Sequence, residues 1–142
     1  MANDSQYTPK WIFDRMGIEF DLDVAAPLSD KTHVPARKCY TELDDGLAQD
    51  WFGRVWMNPP YSTLSPWIRK FLAHGNGVGL VCVSKSLAFE ELWNQAHGIV
   101  FLDPRIEFDL PNGKSQKIFM PTVLMAMGSD NVDAIAHIGK VR

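Results

Sequence analysis

The clearest hydrophobic pattern lies in the middle of the chain. Its apolar residues recur at spacings of three and four: Leu64, Trp67, Ile68, Phe71 and Leu72. This period predicts an amphipathic helix with one buried face. Ser62 or Thr63 is suited to cap its first turn, and Gly75 is suited to end it.

Shorter apolar runs and helical patterns alternate through the rest of the chain. Strands are predicted at residues 20–26, 39–41, 54–57, 78–83, 99–102, 122–127 and 134–141. Further helices are predicted at 8–17 and 87–97, with a single turn at 47–51 and a loop at 28–38. Residues 128–131 have the composition of a hairpin turn. This order predicts an α/β fold with a mostly parallel sheet, helices on both faces and an antiparallel C-terminal hairpin.

Length and composition restrict the class of protein. The 142 residues, 46% of them hydrophobic and 22% charged, predict one globular domain over residues 1–142. No apolar run is long enough to cross a membrane, and the polar N-terminus is not a secretory signal. Cys39 and Cys82 have no metal-binding or redox spacing, which favours a reducing, cytoplasmic setting. The formal net charge of -3 predicts that any contact with nucleic acid depends on a local basic patch.

The segment Asn58-Pro59-Pro60-Tyr61 directly follows a short apolar strand and precedes the central helix. Two prolines fix φ twice and remove two backbone donors, so they predict a stiff, extended corner. The Asn58 amide oxygen and a proline carbonyl can then accept both hydrogens of one planar amino group. Tyr61 supplies a flat face on which a ring can stack.

Such acceptors suit methyl transfer to a conjugated amino group. The lone pair of such a nitrogen is delocalised, and two acceptors on its hydrogens draw electron density onto it. A methyl donor held in line would complete a reaction that depends on positioning and electrostatics and requires no metal. The same four residues also favour a simple turn. Their place at the carboxyl end of a predicted strand, where α/β proteins bind ligands, favours a functional site.

Several spaced motifs resemble the phage-type DNA N-6-adenine-methyltransferase family. They are found in order along nearly the whole chain, as Tyr7 to Phe13, Phe20 to Ala26, Cys39 to Thr41, Asp45 to Leu47 with Trp51, Trp56 to Ser62 with Trp67, and Arg105 to Phe108. The resemblance implies a compact Rossmann-like class I methyltransferase sheet, S-adenosylmethionine as methyl donor and an adenine flipped out of DNA as substrate. It also implies a DNA-modification enzyme that protects phage DNA from restriction.

The resemblance implies roles for individual positions. Thr8 and Pro9 are expected to hold the methionine end of the donor, and Asp23, Ala25 and Ala26 to lie beside it. Ribose and adenine contacts are expected at Tyr40 and Asp45. The target base is expected at Asn58, Pro59, Pro60 and Tyr61, and nucleic-acid contacts at Ser62, Lys85, Arg105, Lys114 and Lys117.

Two departures from methyltransferases in general stand out. Ala25-Ala26-Pro27 replaces their glycine-rich turn after the first strand, and the chain has no room for a separate target-recognition domain. Sequence specificity is therefore expected to be loose, or to be supplied by a loop or a second subunit.

Other residues favour structural roles. The four histidines have no ligand spacing, Glu90-Glu91 fits a solvated helix face, and the glycines of 75–79 precede a strand rather than a helix. Core packing is the expected role of the tryptophans, namely Trp11, Trp51, Trp56, Trp67 and Trp93.

Three functions remain compatible with the sequence. The first is methylation of adenine in DNA. The second keeps the chemistry but acts on RNA or on protein glutamine, because these substrates also present planar amino groups. The third is a donor-binding or DNA-binding module without activity.

Overall fold

The structure is a computed structural model that describes residues 7–28, 32–103, 106–110, 112–117 and 121–142. The strands within these ranges are β1 (Phe20–Asp23), β2 (Ala36–Cys39), β3 (Val55–Met57), β4 (Gly77–Cys82), β5 (Gly98–Phe101), β6 (Glu107–Asp109), β7 (Ser115–Lys117) and β8 (Thr122–Met127). The helices are α1 (Lys10–Met16), α2 (Leu64–His74), α3 (Leu87–Gln95) and α4 (Ser129–Ile135).

The main sheet has the strand order β2-β1-β3-β4-β8-β5. Strands β2, β1, β3 and β4 are parallel to one another, whereas β8 is antiparallel to both β4 and β5. The carboxyl ends of β1, β3, β4 and β5 therefore share one edge. Strands β6 and β7 form a separate antiparallel pair. The predicted α/β class and the mostly parallel sheet are confirmed.

Helices cover both faces of the sheet, as the alternation predicted. One apolar cluster places Trp67, Ile68 and Phe71 of α2 against β3, β4 and β8, together with α3. The other cluster packs α1 and α4 on the opposite face and also takes in Phe108 of β6. The short β6–β7 pair is thereby anchored to the core at one buried side chain.

The predicted strand at 134–141 is wrong, because residues 129–135 form α4. Gly128, with φ of 98°, ends β8 and is followed directly by the helix. Asn131, Ala134 and Ile135 are buried at helical spacing. The polar residues that resembled a hairpin turn are thus the first turn of a helix. The antiparallel strand is β8, which lies inside the sheet.

Two strand boundaries also differ from prediction. Strand β1 ends at Asp23 rather than at residue 26, and β2 occupies 36–39, mostly within the predicted loop. Strand β2 pairs with β1 through its backbone while its side chains are mostly exposed, so no apolar pattern marks it. The shorter β1 leaves residues 24–28 to line a cavity.

Helix α1 ends at Gly17, whose φ of 67° is the left-handed conformation that glycine favours. Ile12, Phe13 and Met16 form its buried face. Trp11 is 38% exposed, so its predicted place in the core is wrong. Its ring lies 5.0 Å from the Arg15 guanidinium carbon on the solvent side of the helix. Within the described residues, no helix is long and apolar enough to cross a membrane.

Candidate active site

A cavity of about 580 Å³ opens at the carboxyl ends of β1 and β3. This is the sheet edge where ligands bind in open α/β folds, and the volume lies within the range of small-molecule sites. Its lining comes from several separate segments of the chain: Tyr7 and Thr8, 23–28, Thr32 and Val34, Thr41 and Glu42, 45–47, Trp56, 58–60, Thr63 and Trp67. The structure therefore brings together most of the positions at which the sequence predicted donor and target-base contacts.

Asp23 is the buried charge-bearing residue of the cavity. It ends β1, is 1% exposed and accepts a 3.3 Å hydrogen bond from the Ala25 amide. Burial raises the pKa of its carboxyl group to about 7, and the Ala25 hydrogen bond opposes part of that rise. A carboxyl group held at this position is suited to meet a cationic ligand, which would favour its ionised form.

Thr8 lines the same cavity from the segment that precedes α1. Its side chain is 4% exposed, and its Oγ1 atom has no hydrogen-bond partner among the described residues. A buried hydroxyl without a partner is costly unless a ligand or water satisfies it. Pro9 is buried beside it and occupies the N-cap position of α1. Thr8 and Asp23 thus offer polar atoms at the site predicted for the methyl donor.

The turn after β1 contains no glycine. Instead, Gly46 allows the backbone of a later loop to approach this turn closely. Ala26 donates to the Tyr40 carbonyl at 2.8 Å, and Ala25 and Ala26 both line the cavity. A side chain at Gly46 would collide with the Val24 carbonyl. Sequence reasoning missed this role because Gly46 follows two aspartates and has the composition of an ordinary turn.

Asp45 and Tyr40 differ in how they meet the cavity. Asp45 lines it in the left-handed conformation, with φ of 57° and ψ of 80°, which is unusual for a residue other than glycine. Tyr40 does not lie among the described residues that line it, and its hydroxyl donates to the Asp50 carbonyl at 2.8 Å. Thr41 and Glu42 line the cavity in its place.

The predicted stiff corner directly follows β3. Asn58, Pro59 and Pro60 line the cavity, and Pro60 is extended with φ of -60° and ψ of 132°. Tyr61 is half-buried and begins the short turn Tyr61–Thr63 that leads into α2. The amide predicted to accept hydrogens from the target base therefore opens onto the cavity that contains Asp23 and Thr8.

Two tryptophans assigned to the core also line the cavity. Trp56 is 1% exposed in β3 and packs edge-on against Phe13, with ring centroids 4.8 Å apart. Trp67 lines the cavity from α2. Each ring has one side in an apolar cluster and another at the cavity, a double role that helical or strand periodicity alone does not reveal.

Those predicted nucleic-acid contacts that fall within the described residues lie in segments that follow β3, β4 and β5. Ser62 is exposed after the corner, and Lys85 is exposed in the loop that follows β4. Lys114 and Lys117 are exposed in the β6–β7 pair, which connects β5 to β8. Arg105 lies outside the described residues. The topology thus directs the loops after β3, β4 and β5 toward the same edge.

The site's donor groups fit S-adenosylmethionine better than a metal ion. Across the described ranges no group of three or more His, Cys, Asp or Glu side chains is arranged to hold a metal. A buried carboxyl group, an unpartnered hydroxyl and apolar walls suit a ligand with an amino group and a flat base. Thr8, Asp23, Ala25, Ala26 and Asp45, at which donor contacts are predicted, all line this cavity.

Comparison with known proteins identifies the family to which the chain belongs. The model of the DNA N-6-adenine-methyltransferase (Dam) family matches residues 1–138. A DNA N-6-adenine-methyltransferase of Haemophilus phage HP1 (strain HP1c1) is 37% identical over 71 residues, which cover 46% of this chain and 39% of the phage protein. The match thus spans about two fifths of that relative's length. No solved structure matches the chain. Since the family match covers nearly the whole chain, the protein belongs to the DNA N-6-adenine-methyltransferase (Dam) family.

Proposed function

We propose that this protein transfers a methyl group from S-adenosylmethionine to the exocyclic N6 amino group of adenine in DNA. The observation that carries the proposal is that Asp23, at the end of β1, and Asn58, directly after the adjacent β3, line one cavity. Asn58 is suited to bind the amino group of the target base, and Asp23 is suited to bind a cationic methyl donor. Membership of the family supports the same reaction.

The donor half of the site comprises Thr8, Pro9, Asp23, Ala25, Ala26 and Asp45. When bound, S-adenosylmethionine supplies a methyl group attached to a positively charged sulfur. Asp23 accepts hydrogen bonds from its amino group, and Thr8 gains a partner for its buried hydroxyl. The ionised Asp23 pairs with a positive charge in a region of low dielectric, which strengthens the contact. Tyr40, predicted to contact ribose or adenine, is not among the described residues that line the cavity, and an indirect role is proposed for it through the hydrogen bond that its hydroxyl donates to the Asp50 carbonyl.

The acceptor half comprises Asn58, Pro59, Pro60 and Tyr61. The Asn58 side-chain oxygen and a proline carbonyl accept the two amino hydrogens of adenine, which concentrates electron density on its nitrogen. The stiff corner holds these acceptors before the substrate arrives, so little reorganisation accompanies the reaction. Tyr61 stacks on the base. Alignment of the nitrogen with the methyl group would contribute further rate enhancement. The N–C bond would form as the S–C bond breaks, S-adenosylhomocysteine would leave as a neutral thioether, and the proton lost from the nitrogen would pass to water.

DNA reaches this site by base flipping, because the amino group of a paired adenine is out of reach of a cavity at a sheet edge. Ser62, Lys85, Arg105, Lys114 and Lys117 are proposed to contact the surrounding nucleic acid. Lysines at this edge compensate locally for the net charge of -3. The phage source of the relative supports a role in modifying phage DNA against restriction, in the cytoplasm of the host.

Incubation with isotopically labelled donor and four separate substrate pools tests the proposal. The pools are duplex DNA, single-stranded DNA, RNA and protein. Label in a DNA pool supports the proposal, whereas label in RNA or protein alone assigns the same chemistry to another substrate. Donor binding without label in any pool would identify a binding module rather than an enzyme.

A further inference from the structure

In the loop of residues 44–51, side chains donate hydrogen bonds to the backbone carbonyls of residues 44, 46, 47, 49 and 50, in addition to hydrogen bonds within the backbone. The Trp51 indole nitrogen donates to the Gly46 carbonyl at 2.8 Å, and the Tyr40 hydroxyl donates to the Asp50 carbonyl at 2.8 Å. A short turn at Gly46–Ala48 is the regular structure in this loop. The position of the cavity wall at 45–47 therefore depends on side chains that lie outside the cavity.

Lys70, on α2, contacts this loop at three points. Its ammonium group donates to the Leu47 carbonyl at 2.8 Å and also to the Gln49 carbonyl. The same nitrogen lies 5.3 Å from the centroid of the Trp51 ring, which is within cation–π distance. One ammonium group thus ties together two backbone carbonyls and an aromatic ring.

Trp51 connects Lys70 to the cavity. Its ring is stacked on Trp67, with centroids 6.2 Å apart and an interplanar angle of 29°. Trp67, Gly46 and Leu47 all line the cavity, whereas Lys70 is not one of the described residues that do. Lys70 therefore holds the wall from behind and has no place for direct contact with a ligand in that cavity.

We propose that Lys70, acting through Trp51, is a positioning residue that holds the Asp45–Leu47 wall in its donor-binding shape. This inference rests on the proposed function, since it concerns the same cavity. A wall ordered in advance lowers the entropy lost when the donor binds. Removal of the ammonium group releases two carbonyls and the indole together, so the wall samples other positions and donor affinity falls.

A purely structural lysine predicts a different result. It would change the stability of the fold and leave donor affinity unaltered wherever the protein remains folded. A positioning residue changes the order of the 45–51 backbone and the affinity for donor, while turnover at saturating donor changes little. These readouts separate the two roles.

The test compares Lys70→Met, which keeps the aliphatic stem, with Lys70→Arg, which keeps the positive charge. Arg69→Met is the matched control, because Arg69 is a neighbouring exposed cation on α2 that pairs with Glu91 at 3.6 Å. Hydrogen–deuterium exchange measures the order of backbone amides 45–51. Calorimetry measures binding of S-adenosylmethionine and of its demethylated product, S-adenosylhomocysteine.

Lys70→Met is expected to accelerate exchange in 45–51 and to weaken binding of both compounds about tenfold, as for loss of hydrogen bonds to a charged group. Turnover at saturating donor should remain within about twofold, Lys70→Arg should recover most of the affinity, and Arg69→Met should match the wild type. If the wild type binds donor and folded Lys70→Met binds it with the same affinity, this inference is overturned and the proposed function is not. A wild-type protein that binds no donor would overturn the proposed function and this inference with it.

Discussion

Thr8 and Asp23 line the same cavity from two different elements, and both present buried polar groups to it. The Thr8 hydroxyl has no partner among the described residues, and the Asp23 carboxyl group accepts the Ala25 amide at 3.3 Å. Burying such groups without full compensation lowers the stability of a fold. A ligand that satisfies both would recover this cost, which is why we place the donor there.

Asp23→Asn is expected to weaken donor binding at pH 8 by about 1.5–3 kcal/mol, the loss expected for a charged hydrogen-bond partner. Burial raises the pKa of Asp23 to about 7, so wild-type affinity should rise between pH 6 and 8 as the carboxyl group ionises. The variant should lack this rise. Calorimetry at several pH values measures both effects, with the exposed Asp130→Asn as control. A pH profile shared by wild type and Asp23→Asn would remove Asp23 from the donor site.

The same pKa shift predicts how the stability of the ligand-free protein depends on pH. A carboxyl pKa above its usual value of 3.8 means that the folded state favours the protonated form. The contribution of Asp23 to the free energy of unfolding is therefore largest below about pH 4 and falls as pH rises to about 7. Denaturant titrations of the wild type should show this fall in the free energy of unfolding, which is of the order of 4 kcal/mol at most. The same titrations of Asp23→Asn should not show it.

Asp45→Gly should separate stability from donor binding. Asp45 has φ of 57°, a conformation that glycine adopts without strain, so the free energy of unfolding should stay constant or rise by up to about 1 kcal/mol. Loss of the carboxylate should still raise the donor dissociation constant roughly fivefold. Asp45→Ala should bind donor equally weakly and be less stable than the glycine variant. If Asp45→Gly bound donor as tightly as wild type, this side chain would have no role in the site.

The sequence predicted the parts of the site that depend on local chemistry. Two prolines after an apolar strand determine the corner at Asn58 through local backbone restrictions. The apolar period likewise predicts α2, which ends at His74. The pattern places Asp23 within the strand predicted at 20–26, and the resemblance, rather than the pattern, implies its place at the donor site. These features involve neighbours in sequence, so a single sequence contains enough information to predict them.

The features that the sequence did not reveal depend on contacts between distant segments. Gly46 is required because its backbone approaches the Val24 carbonyl closely. Lys70 contributes because it donates hydrogen bonds to the carbonyls of residues 47 and 49. Strand β2 is defined by its pairing with β1, since its own side chains are mostly exposed. Gly128 to Asn131 suits both a hairpin turn and a helix start, and burial of Ile135 at helical spacing decides for α4.

Tyr61→Phe and Tyr61→Ala test whether the ring or the hydroxyl binds the base. Stacking predicts that Tyr61→Phe keeps most activity and that Tyr61→Ala loses about 1–3 kcal/mol of base binding. Steady-state kinetics on duplex DNA, with donor affinity measured in parallel, gives both quantities. Equal damage from the two substitutions would replace the stacking role by a hydrogen bond from the hydroxyl.

Reversal of Lys114 and Lys117 to Glu tests the proposed DNA contact. Each neutralised phosphate contributes about 0.9 to the slope of log affinity against log salt, so the double variant should flatten that slope by roughly two units. Donor binding should remain intact. Arg37→Glu with Lys140→Glu is a control with the same charge change at other exposed positions. An unchanged slope in the lysine variant would mean that these side chains face solvent in the complex.

The central claim is that Asn58 activates an adenine amino group beside a bound donor. The most direct test is to treat duplex DNA with isotopically labelled S-adenosylmethionine, digest it to nucleosides and identify the labelled nucleoside by mass spectrometry. Wild type should yield N6-methyldeoxyadenosine, and Asn58→Ala should form it at least about 10²-fold more slowly while binding donor normally. The exposed Asn94→Ala serves as control. Label on another base, or an Asn58→Ala rate equal to wild type, would contradict the account.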